Sequence, residues 1–178
     1  MAHLVYQRGN LIGQGCGEEN DGGLTDFGRA VVSEMNRIGM IVDVAHAGLK
    51  TSLDAAQCSE KPVVASHTVC HALNGHIRAK TDKVMKAIAD TGGYVGICSI
   101  SPFLGRSGDL SAFLDHLEYA VQLVGIDHVA IGTDVPHVLS PAGGNGTVPW
   151  PRRRKEWRSL WPNDALGPRP GLPPEAAL

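Results

Sequence analysis

The feature that most constrains the fold is an alternation of short, continuously apolar runs with segments of helical periodicity. Runs rich in β-branched residues occupy residues 41–45, 63–65, 94–100 and 129–132, and residues 4–6 fit the end of a further strand. Between these runs, apolar residues recur at spacings of three and four, as in the segment that Thr25 caps, with Phe27, Val31, Met35 and Ile38 on its apolar face. Continuous apolar strands separated by helices predict a parallel sheet covered by helices.

The number of predicted elements is smaller than in a complete barrel. Residues 1–140 contain about five strands and four helices, whereas a (β/α)₈ barrel has eight of each and typically about 250 residues. The 178 residues therefore predict a partial (β/α)₈ barrel. Residues 141–178 are different, because they hold eight of the 11 prolines and all three tryptophans and show no period. They predict an irregular loop or tail.

Composition excludes several classes of partner. The net charge is −2 and the only basic run, at residues 152–155, is short, so no nucleic-acid partner is expected. No run approaches 18 apolar residues, and the first residues lack the apolar stretch of a signal peptide, so no membrane segment is expected. The four cysteines form no CxxC and no disulfide-scaffold spacing, which favours free thiols and a cytoplasmic location.

Three candidate ligands follow predicted strands. His46 and His67 come after two successive apolar runs, and Asp134 comes after the last one. In parallel α/β sheets, function collects at the carboxyl ends of the strands, and two imidazoles with a carboxylate are ordinary zinc ligands. The competing interpretation is that each histidine is a hydrogen-bonded structural residue. Asp43, on the strand before His46, either orients a histidine or bonds the backbone.

Other histidines offer a second interpretation. His67, Cys70, His71 and His76 lie within ten residues, but their spacing is not that of a familiar zinc ribbon. Two further histidines, His116 and His128, are predicted to be structural, and His3 has no assigned role.

The order of several motifs resembles that of the membrane dipeptidase family, peptidase family M19. The stretches concerned are GLTDFGRAVVSEMNRIGMIVDVAHAG, KPVVASHTVCHAL, HIRAK, TGGYVGI and DHLEYAVQLVGIDHVAIGTD, and the likeness runs over about residues 4–134. The resemblance implies a (β/α)₈ barrel with two zinc ions that hydrolyses dipeptides. It also implies a dipeptide substrate and is compatible with a homodimer.

The resemblance implies a role for five residues. His46 and His67 match the two histidines that bind the second zinc ion. Arg78 matches the arginine that binds the terminal carboxylate of the substrate, and Asp134 matches the aspartate that handles the proton of the attacking water. Tyr6 falls where many members have a histidine close to the scissile carbonyl.

The chain also departs from the family pattern. It contains no His-x-Asp triplet, which in the family holds the first zinc ion, and Glu18 and Glu19 lie outside the place of the glutamate that bridges both ions. A metal-dependent dipeptidase is therefore the main hypothesis. The alternatives are an inactive fragment of such an enzyme and another metal-dependent hydrolase of the amidohydrolase type.

Overall fold

Five short parallel strands lie side by side in chain order in the computed structural model, which describes residues 1–134. The strands are β1 (Ala2–His3), β2 (Val42–Asp43), β3 (Val63–Thr68), β4 (Val95–Ile97) and β5 (Val129–Ile131). The helices are α1 (Asp26–Arg37), α2 (Leu49–Cys58), α3 (Asp82–Asp90), α4 (Ser101–Leu104) and α5 (Leu110–Val124), and a single 3₁₀ turn covers Ile126–His128. Sequential parallel order with helical crossovers is the arrangement of neighbouring strands in a (β/α)₈ barrel, so the predicted partial barrel is confirmed. The predicted tail, residues 141–178, lies outside the described residues.

The inner strands β2, β3 and β4 are largely buried, as their continuous apolar sequences predict, whereas the edge strands β1 and β5 are partly exposed. Val42, Val63, Val95 and Ile97 are at most 1% exposed. Their parallel register brings His3 level with Asp43. Residues level in neighbouring parallel strands point to the same face of a sheet, so these two side chains meet. None of the helices in the described range is long and apolar enough to cross a bilayer.

Helix α1 buries a different face from the one that its apolar spacing predicts. Thr25 caps the helix as expected, its hydroxyl accepting a hydrogen bond from Gly28 N at 2.9 Å. However, Phe27 is 57% exposed, while Gly28 and Asn36 are buried. A Cβ atom at Gly28 would lie 2.0 Å from Ile12 O. The helix therefore packs against the backbone of Ile12 so closely that only glycine fits at this position.

Asn36 completes this contact face of α1. Its side-chain amide donates to Val32 O and Ser59 Oγ, and its carbonyl oxygen accepts from Glu60 N. A buried amide is stable where its hydrogen bonds are satisfied, and two of these partners, Ser59 and Glu60, directly follow α2. The close approach at Gly28 and the amide of Asn36 therefore set the orientation of the helix.

His116 and His128 are structural, as predicted. His116 Nδ1 accepts from Cys70 N at 3.0 Å, and its Nε2 lies 3.1 Å from Leu104 O. Its ring thus connects α5 to the segment after β3 and to α4. His128 Nδ1 lies 2.7 Å from Gly93 O, next to β4.

Lys80 fixes the loop that follows His46. Its ammonium group is buried and donates to Ala47 O and Ser52 Oγ, at the start of α2. Burial lowers the pKa of Lys80 to about 8. Bonding the residue immediately after His46 limits where that imidazole can lie.

Candidate active site

Two imidazoles meet at the carboxyl edge of the sheet. β3 continues through His67, and His46 follows β2 after two buried residues. Their Nε2 atoms lie 2.9 Å apart. The predicted convergence of the two strand-end histidines is therefore what the structure contains.

Both imidazoles favour the neutral form. Burial is the main cause of the low pKa of His67, about 4, and the guanidinium of Arg78 lowers it further. Burial, again with a contribution from Arg78, places the pKa of His46 well below its usual value. A neutral ring keeps a lone pair on one nitrogen, which is the form that binds a metal ion.

Asp43 connects the two strands that carry these histidines. Its Oδ1 accepts hydrogen bonds from Ala45 N at 3.0 Å and Ser66 N at 3.1 Å. Its buried Oδ2 lies 3.3 Å from His3 Nδ1 and has no hydrogen-bond partner among residues 1–134. Burial alone would raise the pKa of Asp43, but His3, Ser66 and Ala45 outweigh it and hold the pKa well below its usual value. Both interpretations of Asp43 thus apply: it bonds the backbone and it faces a histidine.

His3 is the site residue that the sequence interpretation missed. Its ring packs edge-on against the other two imidazoles, with centroids 5.3 Å from His46 and 5.5 Å from His67. Each of the three rings offers a nitrogen, and these nitrogens lie within 4.8 Å of one another. The sequence signal that could have identified His3 is its position at the end of a strand. That strand was expected to end at residues 4–6, whereas β1 is Ala2–His3.

The donor set can hold a metal ion. Three imidazole nitrogens are a known ligand set for catalytic zinc, and the pKa shifts keep His46 and His67 neutral. Within the part of the chain that the structure describes, no other group of three His, Cys, Asp or Glu side chains converges in this way. Cys70 instead directs its thiol to His116 O, and His76 stacks on Phe103, so the alternative cluster around Cys70 does not form.

Arg78 is a buried cation next to the histidines. The residue is 2% exposed, and its Nη2 donates to His67 O at 3.5 Å. Its Cζ lies 5.4 Å from the centre of the Phe103 ring. Nε has no hydrogen-bond partner among the described residues, and no carboxylate of those residues lies within 4.0 Å of the guanidinium. A buried charge without a counter-charge is costly, so this site favours an anion.

Asp134 and Tyr6 lie at the rim of the same site. Asp134 Oδ2 is 4.0 Å from His67 Nε2, and its backbone has a φ of 55°, which aspartate tolerates. Tyr6 is half exposed and stacks on His46 with ring centroids 4.1 Å apart. Burial raises the pKa of Tyr6, so its phenol stays protonated and able to donate. All five predicted site residues are therefore brought together.

His76, beside Arg78, makes the stability of the fold depend on pH. Burial and the guanidinium of Arg78 lower the pKa of His76 to about 4, and its Nδ1 accepts from Arg78 N at 3.2 Å. Between the unfolded pKa, near 6.5, and 4, the unfolded chain binds more protons than the folded chain. Stability therefore falls as the pH falls through this window.

We predict that His76→Asn flattens this dependence. Asparagine keeps an acceptor but does not titrate, so the loss of unfolding free energy between pH 6.5 and 4.5 should shrink by on the order of 1 kcal/mol per pH unit. Urea unfolding of the metal-free chain at several pH values measures the slope. His71→Asn, at an exposed position, is the control and should leave the slope unchanged. Equal slopes for wild type and His76→Asn would contradict the prediction.

Comparison with known proteins identifies the family of the chain. The family model for membrane dipeptidase (peptidase family M19) matches residues 1–144. A curated relative, dipeptidase verJ of Clonostachys rogersoniana, is 36% identical over 144 residues, which are 79% of this chain and 37% of that protein. The crystal structure of an amidohydrolase from Pseudomonas aeruginosa is 41% identical in sequence, with a TM-score of 0.72. The match covers 78% of this chain and 43% of the amidohydrolase chain.

A third relative was crystallised with a ligand. The metallopeptidase from Rhodobacter sphaeroides, bound to a phosphinate mimic of the dipeptide L-Ala-D-Ala, is 30% identical with a TM-score of 0.70. The match covers 88% of this chain and 48% of that one. The chain thus spans less than half the length of each of these three relatives. On the family-model match and these identities, the chain belongs to the membrane dipeptidase family, peptidase family M19.

Proposed function

We propose that this chain forms a zinc-dependent dipeptidase site, which hydrolyses the peptide bond of a dipeptide. The observation that carries the proposal is the buried guanidinium of Arg78 beside the imidazoles of His46 and His67. A metal-binding pair next to a cation that has no carboxylate partner among residues 1–134 suits a small substrate with a free carboxylate close to its scissile bond. A dipeptide is such a substrate.

Arg78 holds the terminal carboxylate of the dipeptide. A guanidinium binds a carboxylate through two parallel hydrogen bonds, and burial strengthens this pairing because water does not compete. The Nε atom of Arg78, which lacks a partner among residues 1–134, is one of the donors. The carboxylate also supplies the negative charge that this buried cation needs.

His46 and His67 hold zinc, and Asp134 handles the proton. Zinc, when bound, polarises the scissile carbonyl and acidifies water near neutral pH. Asp134, with a half-exposed carboxylate 4.0 Å from His67 Nε2, takes a proton from the attacking water and delivers it to the leaving amine. The protonated phenol of Tyr6 donates a hydrogen bond to the carbonyl oxygen of the substrate.

The relative bound to a mimic of L-Ala-D-Ala suggests a substrate class. A dipeptide with a small D-residue at its carboxyl end is the first one to assay.

We predict that the 178-residue chain, loaded with zinc, releases free alanine from L-Ala-D-Ala. His67→Ala should lower kcat/KM by at least about 100-fold, since removing a direct ligand costs more than the 10- to 100-fold loss typical of its supporting groups. His71→Ala is the matched control and should keep full activity. Release of no amino acid by the zinc-loaded wild type, or equal rates for His67→Ala, would contradict the proposal.

We predict that Arg78→Lys lowers kcat/KM for L-Ala-D-Ala by roughly 10- to 100-fold, because a hydrogen bond to a charged group is worth about 1.5–3 kcal/mol. The C-terminal amide of the same dipeptide has no carboxylate, so the substitution should hardly change its already low rate. Arg106→Lys, at an exposed ion pair with Asp115, controls for loss of a guanidinium elsewhere. An equal effect of Arg78→Lys on acid and amide would show that Arg78 does not bind the carboxylate.

A further inference from the structure

Ser66, the residue before His67, lies in an irregular part of β3. The pairing with β4 advances three residues along β3, from Ala65 to Thr68, while it advances only two residues along β4. One extra residue is therefore inserted in β3 between these pairs, where Ser66 and His67 lie. Insertions of this kind re-aim side chains and are frequent beside functional sites.

The irregularity brings the side chains of Ser66 and His67 together. In a regular strand, successive side chains point to opposite faces of the sheet, so neighbours in sequence do not meet. Here Ser66 Oγ lies 2.8 Å from His67 Nδ1, which is within hydrogen-bond distance. The hydroxyl therefore contacts the ring nitrogen of His67 that does not face His46.

The backbone of Ser66 is held by the strands on both sides of β3. Its N–H donates to Oδ1 of Asp43, on β2, at 3.1 Å. Its carbonyl oxygen lies against two glycines, and a Cβ atom would come within 2.1 Å of that oxygen at Gly96 and within 2.0 Å at Gly132. Only glycine allows such a close approach, so the main chain that carries the hydroxyl is fixed from three sides.

We propose that Ser66 is a positioning residue of the metal site, whose hydroxyl accepts the Nδ1 hydrogen of His67 and leaves the Nε2 lone pair of that ring for zinc. This inference rests on the proposed function, because it takes His67 as a zinc ligand. Ser66 acts through the imidazole of its neighbour, and it contacts neither the metal nor the substrate.

The chemistry of the ring requires this arrangement. A neutral imidazole has one N–H and one lone pair, and a metal ion takes the lone pair. When Nε2 of His67 binds zinc, its Nδ1 carries the hydrogen and needs an acceptor, which Ser66 Oγ supplies. The carboxylate of Asp134 lies 4.0 Å from Nε2, too far to hold a hydrogen there by a hydrogen bond. Groups that bond the second nitrogen of a ligating histidine fix its tautomer and its orientation.

The environment of His46 favours the same tautomer of His67. Nδ1 of His46 is buried and has no hydrogen-bond partner among residues 1–134. A buried N–H without an acceptor is costly, so the hydrogen of His46 in the metal-free chain lies on Nε2, 2.9 Å from Nε2 of His67. That hydrogen bond needs a lone pair on Nε2 of His67, and its hydrogen then lies on Nδ1, next to Ser66. The metal-free chain is thus already in the tautomer of His67 that zinc binds.

The first test compares zinc affinities of the full, chelator-stripped chain, measured by competition with a chromophoric chelator. Ser66→Ala removes the hydroxyl but keeps the backbone contacts, so the affinity should fall by roughly 10- to 100-fold, the loss typical of such supporting groups. Ser66→Thr keeps a hydroxyl and should bind zinc nearly as tightly as the wild type. Ser33→Ala, at an exposed position of α1, is the matched control and should not change the affinity.

Two results of this comparison would overturn the proposal. One is an unchanged zinc affinity in a folded Ser66→Ala. The other is an equal loss of affinity in Ser66→Ala and Ser66→Thr, because the hydroxyl would then not be the group that matters.

A second measurement needs no variant at position 66. Long-range proton–nitrogen NMR correlation of the metal-free chain, with isotope-labelled histidine, reports which ring nitrogen carries the hydrogen. The signals of His67 are identified by their absence from His67→Ala. At neutral pH we expect the hydrogen of His67 on Nδ1, and a hydrogen on Nε2 would contradict the role of Ser66.

The two proposals fail differently. If Ser66→Ala keeps the zinc affinity of the wild type while His67→Ala abolishes binding, the role of Ser66 is wrong and the metal pair of the proposed function stands. If His67→Ala also leaves the affinity unchanged, the metal site of the proposed function is itself wrong, and the inference about Ser66 falls with it.

Discussion

The buried carboxylate of Asp43 is the interaction on which the site depends. It accepts from the backbone of Ala45 and of Ser66, so it ties the chain just before His46 to the chain just before His67. Its second oxygen faces His3. One residue, 1% exposed, therefore positions three imidazoles that come from three different strands or their ends. Without this carboxylate, no single residue would contact all three segments that carry the imidazoles.

Charge explains why these groups remain together in the described chain. Burial and the nearby guanidinium of Arg78 keep His46 and His67 neutral, so the cluster does not repel itself. The same guanidinium lacks a carboxylate partner within residues 1–134. On one side of the site, the neutral imidazoles of His46 and His67 can bind a metal cation. On the other side, the guanidinium of Arg78 can bind an anion. A zinc ion and a substrate carboxylate satisfy both, which is the physical basis of the proposed dipeptidase function.

Much of this arrangement could be predicted from the sequence, since apolar runs, helical periods and strand-end residues are local signals. The alternation of strands and helices and the convergence of His46, His67 and Asp134 follow from such signals. His3 was missed because a strand of two residues has no period to read. The buried face of α1 was also misjudged, because Gly28 and Asn36 are selected by a close backbone contact and by amide hydrogen bonds. Those are tertiary effects, which apolar spacing does not report.

The central claim is that the imidazoles of His46 and His67, positioned by Asp43, bind zinc beside the guanidinium of Arg78. X-ray absorption fine structure at the zinc edge of the zinc-loaded, 178-residue chain tests it most directly, because it identifies ligands without reference to activity. The account predicts zinc–nitrogen distances of about 2.0–2.1 Å and outer-shell scattering from imidazole rings, which weakens in His67→Ala. A zinc spectrum without imidazole scattering, or one that is identical in wild type and His67→Ala, would contradict it.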